Sequence, residues 1–238
     1  MTRHLLGLES GGDRVSVALL RWPEAGEVEV LVERSEPAER DQGRRLMPMI
    51  AEVCGGAGVA ASDLAAVAVA RGPGSYTGLR VGIATALGLG AAGGPRVLGV
   101  ESLRAAAFAA GRAGSGLSVA ILPAGRGGLY AQAFAWPADA AVPEAAGEAV
   151  RTDAEGAIAL AAEASREGPP AAVVSVGEAA ATAVANVPGG AKSMLSFLPA
   201  GAVGRLAAVL AREGVRRHGQ ALAVAPIYLR PAAAATGA

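Results

Sequence analysis

Three glycines, Gly72, Gly74 and Gly78, punctuate the segment Arg71, Gly72, Pro73, Gly74, Ser75, Tyr76, Thr77, Gly78, Leu79, Arg80. An apolar run precedes it and a long stretch of small apolar residues follows. Glycines at such a junction let the backbone approach another group closely, and free amides at a helix start can hold an anion. A phosphate cradle is the sharpest chemistry these residue types could perform. Their spacing argues against the standard forms. A P-loop ends in Gly-Lys-Ser/Thr, whereas Gly78 is followed by Leu79 and Arg80. The dinucleotide fingerprint is G-x-G-x-x-G, and the last gap here is one residue too long. A structural turn is the plainer reading, with Ser75 or Thr77 capping the next helix.

A second glycine turn, Ser10-Gly11-Gly12-Asp13, adds to the case for an ATP-using kinase or phosphatase. Other chemistry is thinly supplied. The two histidines, His4 and His218, are far apart in sequence, and there is one cysteine, Cys54. A transition-metal site needs three or four ligands, and a serine triad needs one of these histidines as its base. A peptidase is therefore weakly supported. Cys54 follows the apolar pattern LMPMIAEV and reads as a buried thiol. A single cysteine fits a reducing cytoplasm.

Lys and Arg number 21, matched by 21 Asp and Glu, so no global field steers the chain to nucleic acid. Any contact with RNA is expected to be local or made through a partner. The pairs Arg44-Arg45 and Arg216-Arg217 read as solvated helix faces. The N-terminus meets charge after a few apolar residues, so no secretory leader is expected. The longest apolar run, Val81 to Pro95, is short of the roughly 20 residues that span a bilayer. It reads as a buried helix, and no membrane role is expected.

The elements that must position these residues follow from periodicity. Of the 238 residues, 52% are hydrophobic but only 3% aromatic, so the core must be built of Ala, Val and Leu. Strands are expected at 5–8, 15–20 and 27–33, antiparallel in sequence. A helix is expected over 44–54, with Pro48 tolerable only near its start. Then come a strand at 64–70, the glycine turn, the long helix (about 78–93), a strand at 96–100 and a helix capped by Ser102. The second half repeats the pattern. Strands are expected at 117–122 and 129–135 around the turn PAGRGG. A helix follows over 153–167, a strand over 171–176 and a helix over 203–217. Residues 114–116 and 138–147 read as loops, and the tail after Pro231 as frayed. Two related lobes are implied, 1–103 and 104–238, with the last helix free to pack back on the first lobe.

In the long helix, Gly78, Gly82, Ala86 and Gly90 fall four apart on one face. Glycine inside a helix costs about 0.5–1 kcal/mol relative to alanine. Several on one face point to compensation by close packing, either inside the chain or between subunits. Sequence alone leaves these equally open. On the subunit reading, Gly82→Leu would keep the monomer folded and weaken association.

The segments Leu5–Leu20, Arg44–Ile50, Asp63–Gly90, Val97–Leu103 and Pro226–Arg230 together resemble the TsaB (YeaZ) family. The block RGPGSYTGLR carries most of that likeness. The resemblance implies an α/β fold of the actin/hexokinase/Hsp70-like (ribonuclease H-like) kind, with two lobes of mixed sheet and helices. It implies a cytoplasmic, non-catalytic subunit that binds the catalytic relative TsaD, with TsaE joining, in threonylcarbamoylation of tRNA adenosine beside the anticodon. It implies a homodimer and TsaD contact through the same helix, at Gly78, Leu79, Gly82, Ile83, Ala86 and Gly90. Contact with tRNA would be indirect. No intrinsic cofactor is implied, and a nucleotide would belong to the TsaD interface. Alternatives are an autonomous ATP-using enzyme of the same superfold and a glycoprotease-like peptidase. Four departures stand out. Glu9-Ser10 replaces Asp-Thr, Gln42-Gly43 stands where His-Ser is frequent, and Pro123 and Gly128 fall at positions often acidic.

Overall fold

The computed structural model describes residues 3–38, 42–112, 116–166, 171–185, 192–217 and 224–229. Its first sheet opens with an antiparallel meander, β1 (Arg3–Glu9), β2 (Arg14–Trp22) and β3 (Glu29–Pro37). Helix α1 (Gln42–Gly56) crosses to β4 (Leu64–Ala70), and α2 (Tyr76–Gly90) crosses to β5 (Arg96–Val100). The strands lie in the order β3-β2-β1-β4-β5, with β1, β4 and β5 parallel.

The central strands read as unbroken apolar runs because both faces of the sheet are covered. Side chains alternate between them. Leu6, Leu8, Val17, Leu19, Val67 and Val69 face α1 and α2, with Leu46, Ile50, Val53 and Ile83 opposite. Leu5, Ala18, Leu20, Ala66, Ala68 and Ala70 face the other way. That second face is built small, and a helix lies close on it.

The second sheet repeats the first. Strands β6 (Leu117–Pro123) and β7 (Leu129–Ala135) form a hairpin, edged by β8 (Glu144–Ala145) and β9 (Val150–Thr152). Helix α4 (Ala154–Ala164) leads to β10 (Ala172–Val176), and α5 (Glu178–Ala183) leads to β11 (Lys192–Leu195). Read from its hairpin side the order is β8-β7-β6-β10-β11, the same third-second-first-fourth-fifth arrangement. Two mixed sheets of this topology make the actin/hexokinase/Hsp70-like architecture.

Each sheet is followed by one more helix, and both helices lie between the lobes. Helix α3 (Ser102–Ala110) follows β5 yet packs on β6, β7 and β10. Helix α6 (Ala200–Arg217) follows β11 yet packs on β1, β2, β4 and β5, and touches α3. Its buried face, Val203, Leu206, Ala207 and Ala211, has helical spacing. The approach is close. A Cβ at Gly7 would collide with the carbonyl of Ala200, and one at Gly204 would lie 2.6 Å from Leu20 Cδ1. One continuous core therefore joins both sheets through the two exchanged helices.

Several expectations change. Pro48 lies inside α1, which begins at Gln42, because Leu46, Met49, Ile50 and Val53 hold the turns around it against the sheet. Ser102 is the first residue of α3 rather than its cap. Glu101 holds the cap position, and the buried Ser102 Oγ finds no hydrogen-bond partner among the described residues. The third strand runs to Pro37, well past Glu33. Strands β8 and β9, helix α5 and strand β11 were not expected. Helix α4 ends at Ala164, and Glu167, His218, Arg230 and the tail lie outside the described residues.

Candidate functional site

The segment after β4 is a junction tied on three sides. Ser75 caps α2, its Oγ accepting from the Gly78 amide at 3.3 Å, while exposed Thr77 does not cap. The Ser75 amide donates to the Gly11 carbonyl at 2.7 Å, docking this turn on the β1–β2 turn. Gly74 permits the approach, since a Cβ there would lie 2.8 Å from the Gly11 oxygen. The buried Gly72 sits at φ +108°, and its carbonyl accepts from the Ser102 amide at 2.8 Å. Pro73, also buried, follows it through a cis bond. Arg71 is the third tie. Its Nη2 meets Glu101 at 2.8 Å and its Nη1 donates to the Ala225 carbonyl. Its own carbonyl accepts from the Ile227 amide at 2.7 Å. The residues around 224–229 thus run as a strap across the junction.

The small-residue stripe of α2 faces inward. Gly78, Leu79, Gly82, Ile83 and Ala86 are buried in the chain itself, and Gly90 is half-buried. A Cβ at Gly78 would collide with the Ser10 carbonyl, and one at Gly82 with Ser10 Oγ. One at Gly90 would lie 2.5 Å from Val97 Cγ2. Ser10 Oγ donates to the Gly78 carbonyl at 2.8 Å, so β1 and α2 touch almost backbone to backbone. Internal packing accounts for these glycines.

The outward face of α2 is a different set. Tyr76, Thr77, Arg80, Ala84 and Leu87 are exposed, with Tyr76 at 54% and Leu87 at 51%. At 3.6 residues per turn they occupy an arc of about 100° opposite the stripe. Met47 of the neighbouring α1 is also exposed. The Arg80 guanidinium lies 4.0 Å from the centroid of the Tyr76 ring, and its Nε donates to Tyr228 Oη at 3.3 Å. The Tyr76 and Tyr228 rings are 5.1 Å apart. Only the alternation of buried and exposed helix faces could have signalled this set.

Between the lobes lies a cleft of about 680 Å³. Glu9 and Asp13 line it from the first lobe, Tyr130 and Phe197 from the second, and Tyr76 and Tyr228 at its α2 side. Glu9 is buried, and its Oε1 accepts from the Gly11 amide at 2.7 Å. Burial raises its carboxyl to about 7. The amides of Gly11 and Gly12 partly oppose this, and the charge of Asp13 adds to it. The turn that might have received a phosphate is therefore filled by the chain's own carboxyl. The PAGRGG turn is closed in a similar way, the Ala124 amide donating to the Gly128 carbonyl and the Gly128 amide to that of Gly125. Pro123 ends β6 at this turn, and Gly128 lies beside Arg151. Among the described residues no Lys, Arg or His lines the cleft, but Arg14 lies over the Phe197 ring, Arg80 over the Tyr76 ring, and Arg151 meets the Ala124 carbonyl at its border.

Among the described residues, no group of three or more His, Cys, Asp or Glu could hold a metal ion. Cys54 is buried on α1, and burial pushes its thiol up. His4 lies on β1. No described helix is long and apolar enough to cross a membrane.

The model of the TsaD family, tRNA N6-adenosine threonylcarbamoyltransferase, matches residues 35–164, more than half of the chain. That stretch contains α1, the glycine junction and α2. The tRNA threonylcarbamoyladenosine biosynthesis protein TsaB of Haemophilus influenzae is 37% identical over 106 residues, 44% of this chain and 42% of that protein. A tRNA N6-adenosine threonylcarbamoyltransferase of an Acidovorax species is 38% identical over 119 residues, 43% of this chain and 34% of that protein. The matched stretch thus spans less than half the length of either relative. The solved structure of YeaZ from Pseudomonas aeruginosa aligns over 95% of this chain and 100% of its own, with a TM-score of 0.69 at 25% identity.

Proposed function

This chain belongs to the TsaD family, on its TsaB (YeaZ) side, and from that membership we propose that it is a non-catalytic subunit in threonylcarbamoylation of tRNA adenosine. It docks a catalytic TsaD homologue in the cytoplasm, with a TsaE homologue joining, and meets tRNA only through that assembly. A nucleotide, where one is used, belongs to the junction with TsaD. The observation that carries this reading is the outward face of α2. Tyr76, Ala84 and Leu87 form an exposed apolar strip, rimmed by Arg80, on a helix whose opposite face is locked to the sheet. A rigid helix with an apolar outer strip suits helix-to-helix docking.

The sequence likeness to both TsaB and TsaD proteins supports the choice of partner. Related chains that keep the same helix can meet across a pseudo-two-fold axis, and two copies of this chain can pair in the same way. A homodimer and a TsaD complex are then alternative uses of one surface.

The test is tRNA modification by a TsaD homologue with and without this chain, alongside sedimentation of the pair. Leu87→Glu should leave the chain folded, weaken association about tenfold or more, and remove the stimulation of modification. Undiminished association and stimulation by that variant would overturn the docking face. Robust ATP turnover by the purified chain alone would overturn the non-catalytic role.

A further inference from the structure

The strap over the glycine junction, residues 224–229, is held mainly by backbone. Gly72 leaves the room for it, since a Cβ there would lie 2.6 Å from the Ile227 carbonyl oxygen. The Ile227 amide donates to the Arg71 carbonyl at 2.7 Å, and Arg71 Nη1 donates to the Ala225 carbonyl. These ties fix the strap beside the first turn of α2. Ala225, Pro226 and Tyr228 stay exposed, so the strap buries little of itself.

What the strap delivers to α2 is one side chain. The Tyr228 ring lies 5.1 Å from that of Tyr76, and its Oη accepts from Arg80 Nε at 3.3 Å. The Arg80 guanidinium in turn lies 4.0 Å from the centroid of the Tyr76 ring. An exposed arginine ordinarily samples many rotamers, and association has to freeze them. Here a ring face and a hydroxyl already hold the group. Nε is engaged by that hydroxyl, and among the described residues no hydrogen bond uses Nη1 or Nη2. Those two nitrogens form one edge of a planar fork that matches a carboxylate.

We propose that Tyr228 is a positioning residue, which presets Arg80 over Tyr76 so that the Nη edge receives a carboxylate of the docked partner. The carboxylate sits at the rim of the apolar strip of α2. A charge at such a rim sets orientation and register more than affinity, so the clamp fixes which way round the partner lies. This rests on docking at the outer face of α2 and deepens it.

The test has one arm in the chain alone and one with the TsaD homologue. In the chain alone, nuclear magnetic resonance should show the Arg80 Nε–H exchanging with water about fivefold more slowly than in Tyr228→Phe, which keeps the ring and removes the acceptor. With the partner, Arg80→Ala should weaken association about tenfold and Tyr228→Phe about threefold. Tyr228→Phe made on top of Arg80→Ala should add less than about twofold, because it acts through Arg80. Added salt should weaken association of the wild type more than that of Arg80→Ala. Both positions are exposed, and thermal melting of each variant should match the wild type. Equal Nε–H exchange in the wild type and Tyr228→Phe overturns the clamp, whatever the partner does. A Tyr228→Phe loss that persists undiminished without Arg80 overturns it too, since the tyrosine then meets the partner itself. Leu87→Glu separates the two readings. Association lost in Leu87→Glu but kept in Arg80→Ala leaves docking standing and overturns this proposal. Association kept in Leu87→Glu overturns docking and the proposal together.

Discussion

Glu9 shows what a single residue owes to its surroundings. Its place at the end of a strand, just before Ser-Gly-Gly-Asp, is plain in the sequence. Its burial is not, because that depends on how the β1–β2 turn folds back on the carboxyl and docks against the start of α2. Burial raises its carboxyl from 4.5 to about 7. The folded chain therefore holds a proton that the unfolded chain has released between those values. Stability from this group is fully present below about pH 4.5 and is lost as pH rises through about 7, a change of roughly 3 kcal/mol. The melting temperature should fall with pH across that window. Glu9→Gln, which keeps an acceptor for the Gly11 amide and cannot ionise, should flatten the fall. An equally steep fall in the variant would assign the proton to another group. Cys54 is the simpler case. Its apolar context in sequence already describes its buried state, in the cluster between α1 and the first sheet.

At the scale of elements, α2 has one face for the chain and another for solvent, and substitutions should separate them. Gly82→Leu places a side chain against Ser10 Oγ and Val69 Cγ2 and disturbs the Ser10–Gly78 hydrogen bond. It should destabilise the monomer by about 3 kcal/mol or more. Chemical denaturation of this variant beside Leu87→Glu checks the distinction. The expectation that Gly82→Leu spares the fold is therefore corrected. Leu87→Glu should shift stability by no more than about 0.5 kcal/mol, as an exposed substitution does. A stable Gly82→Leu chain would mean that α2 can move away from β1. The stripe itself was legible as a four-residue spacing. Spacing tells that a close approach occurs, but not which backbone makes it.

At the scale of the molecule, the exchange of α3 and α6 binds the lobes. Leu5, Leu20, Ala66 and Ala68 share one buried core with α6, which packs on β1, β2 and β4. Each large apolar side chain uncovered costs about 1.5–3 kcal/mol. A chain ending at Pro199 should therefore fail to form a cooperatively melting first lobe, although every strand of that sheet precedes the cut. Loss of a cooperative thermal transition, followed by circular dichroism, checks this. A sharp melt from the shortened chain would show that the lobe stands without its borrowed helix.

The sequence by itself determined the local pieces and their order. Apolar runs marked β1 and β2, alternation marked β3, helical spacing marked α1 and α6, and the recurrence of hairpin then helix marked two related lobes. These are properties of near neighbours along the chain, where the period of burial is written directly. It missed α5 and β11, where Glu-Ala-Ala-Ala-Thr-Ala and Lys-Ser-Met-Leu are too short and too plain to carry a period. Only the tertiary structure decided the rest. It turned the glycine stripe of α2 towards Ser10, put Glu9 against the amides of its own turn, and gathered Tyr76, Tyr130 and Tyr228 around one cleft. Each of these depends on which distant backbone lies opposite. The glycine junction from Arg71 to Gly78 belongs to both levels. Its residues announce a tight turn, and the folded chain fixes what the turn holds: β1 on one side, the 224–229 strap on the other, and the outer face of α2 left to solvent.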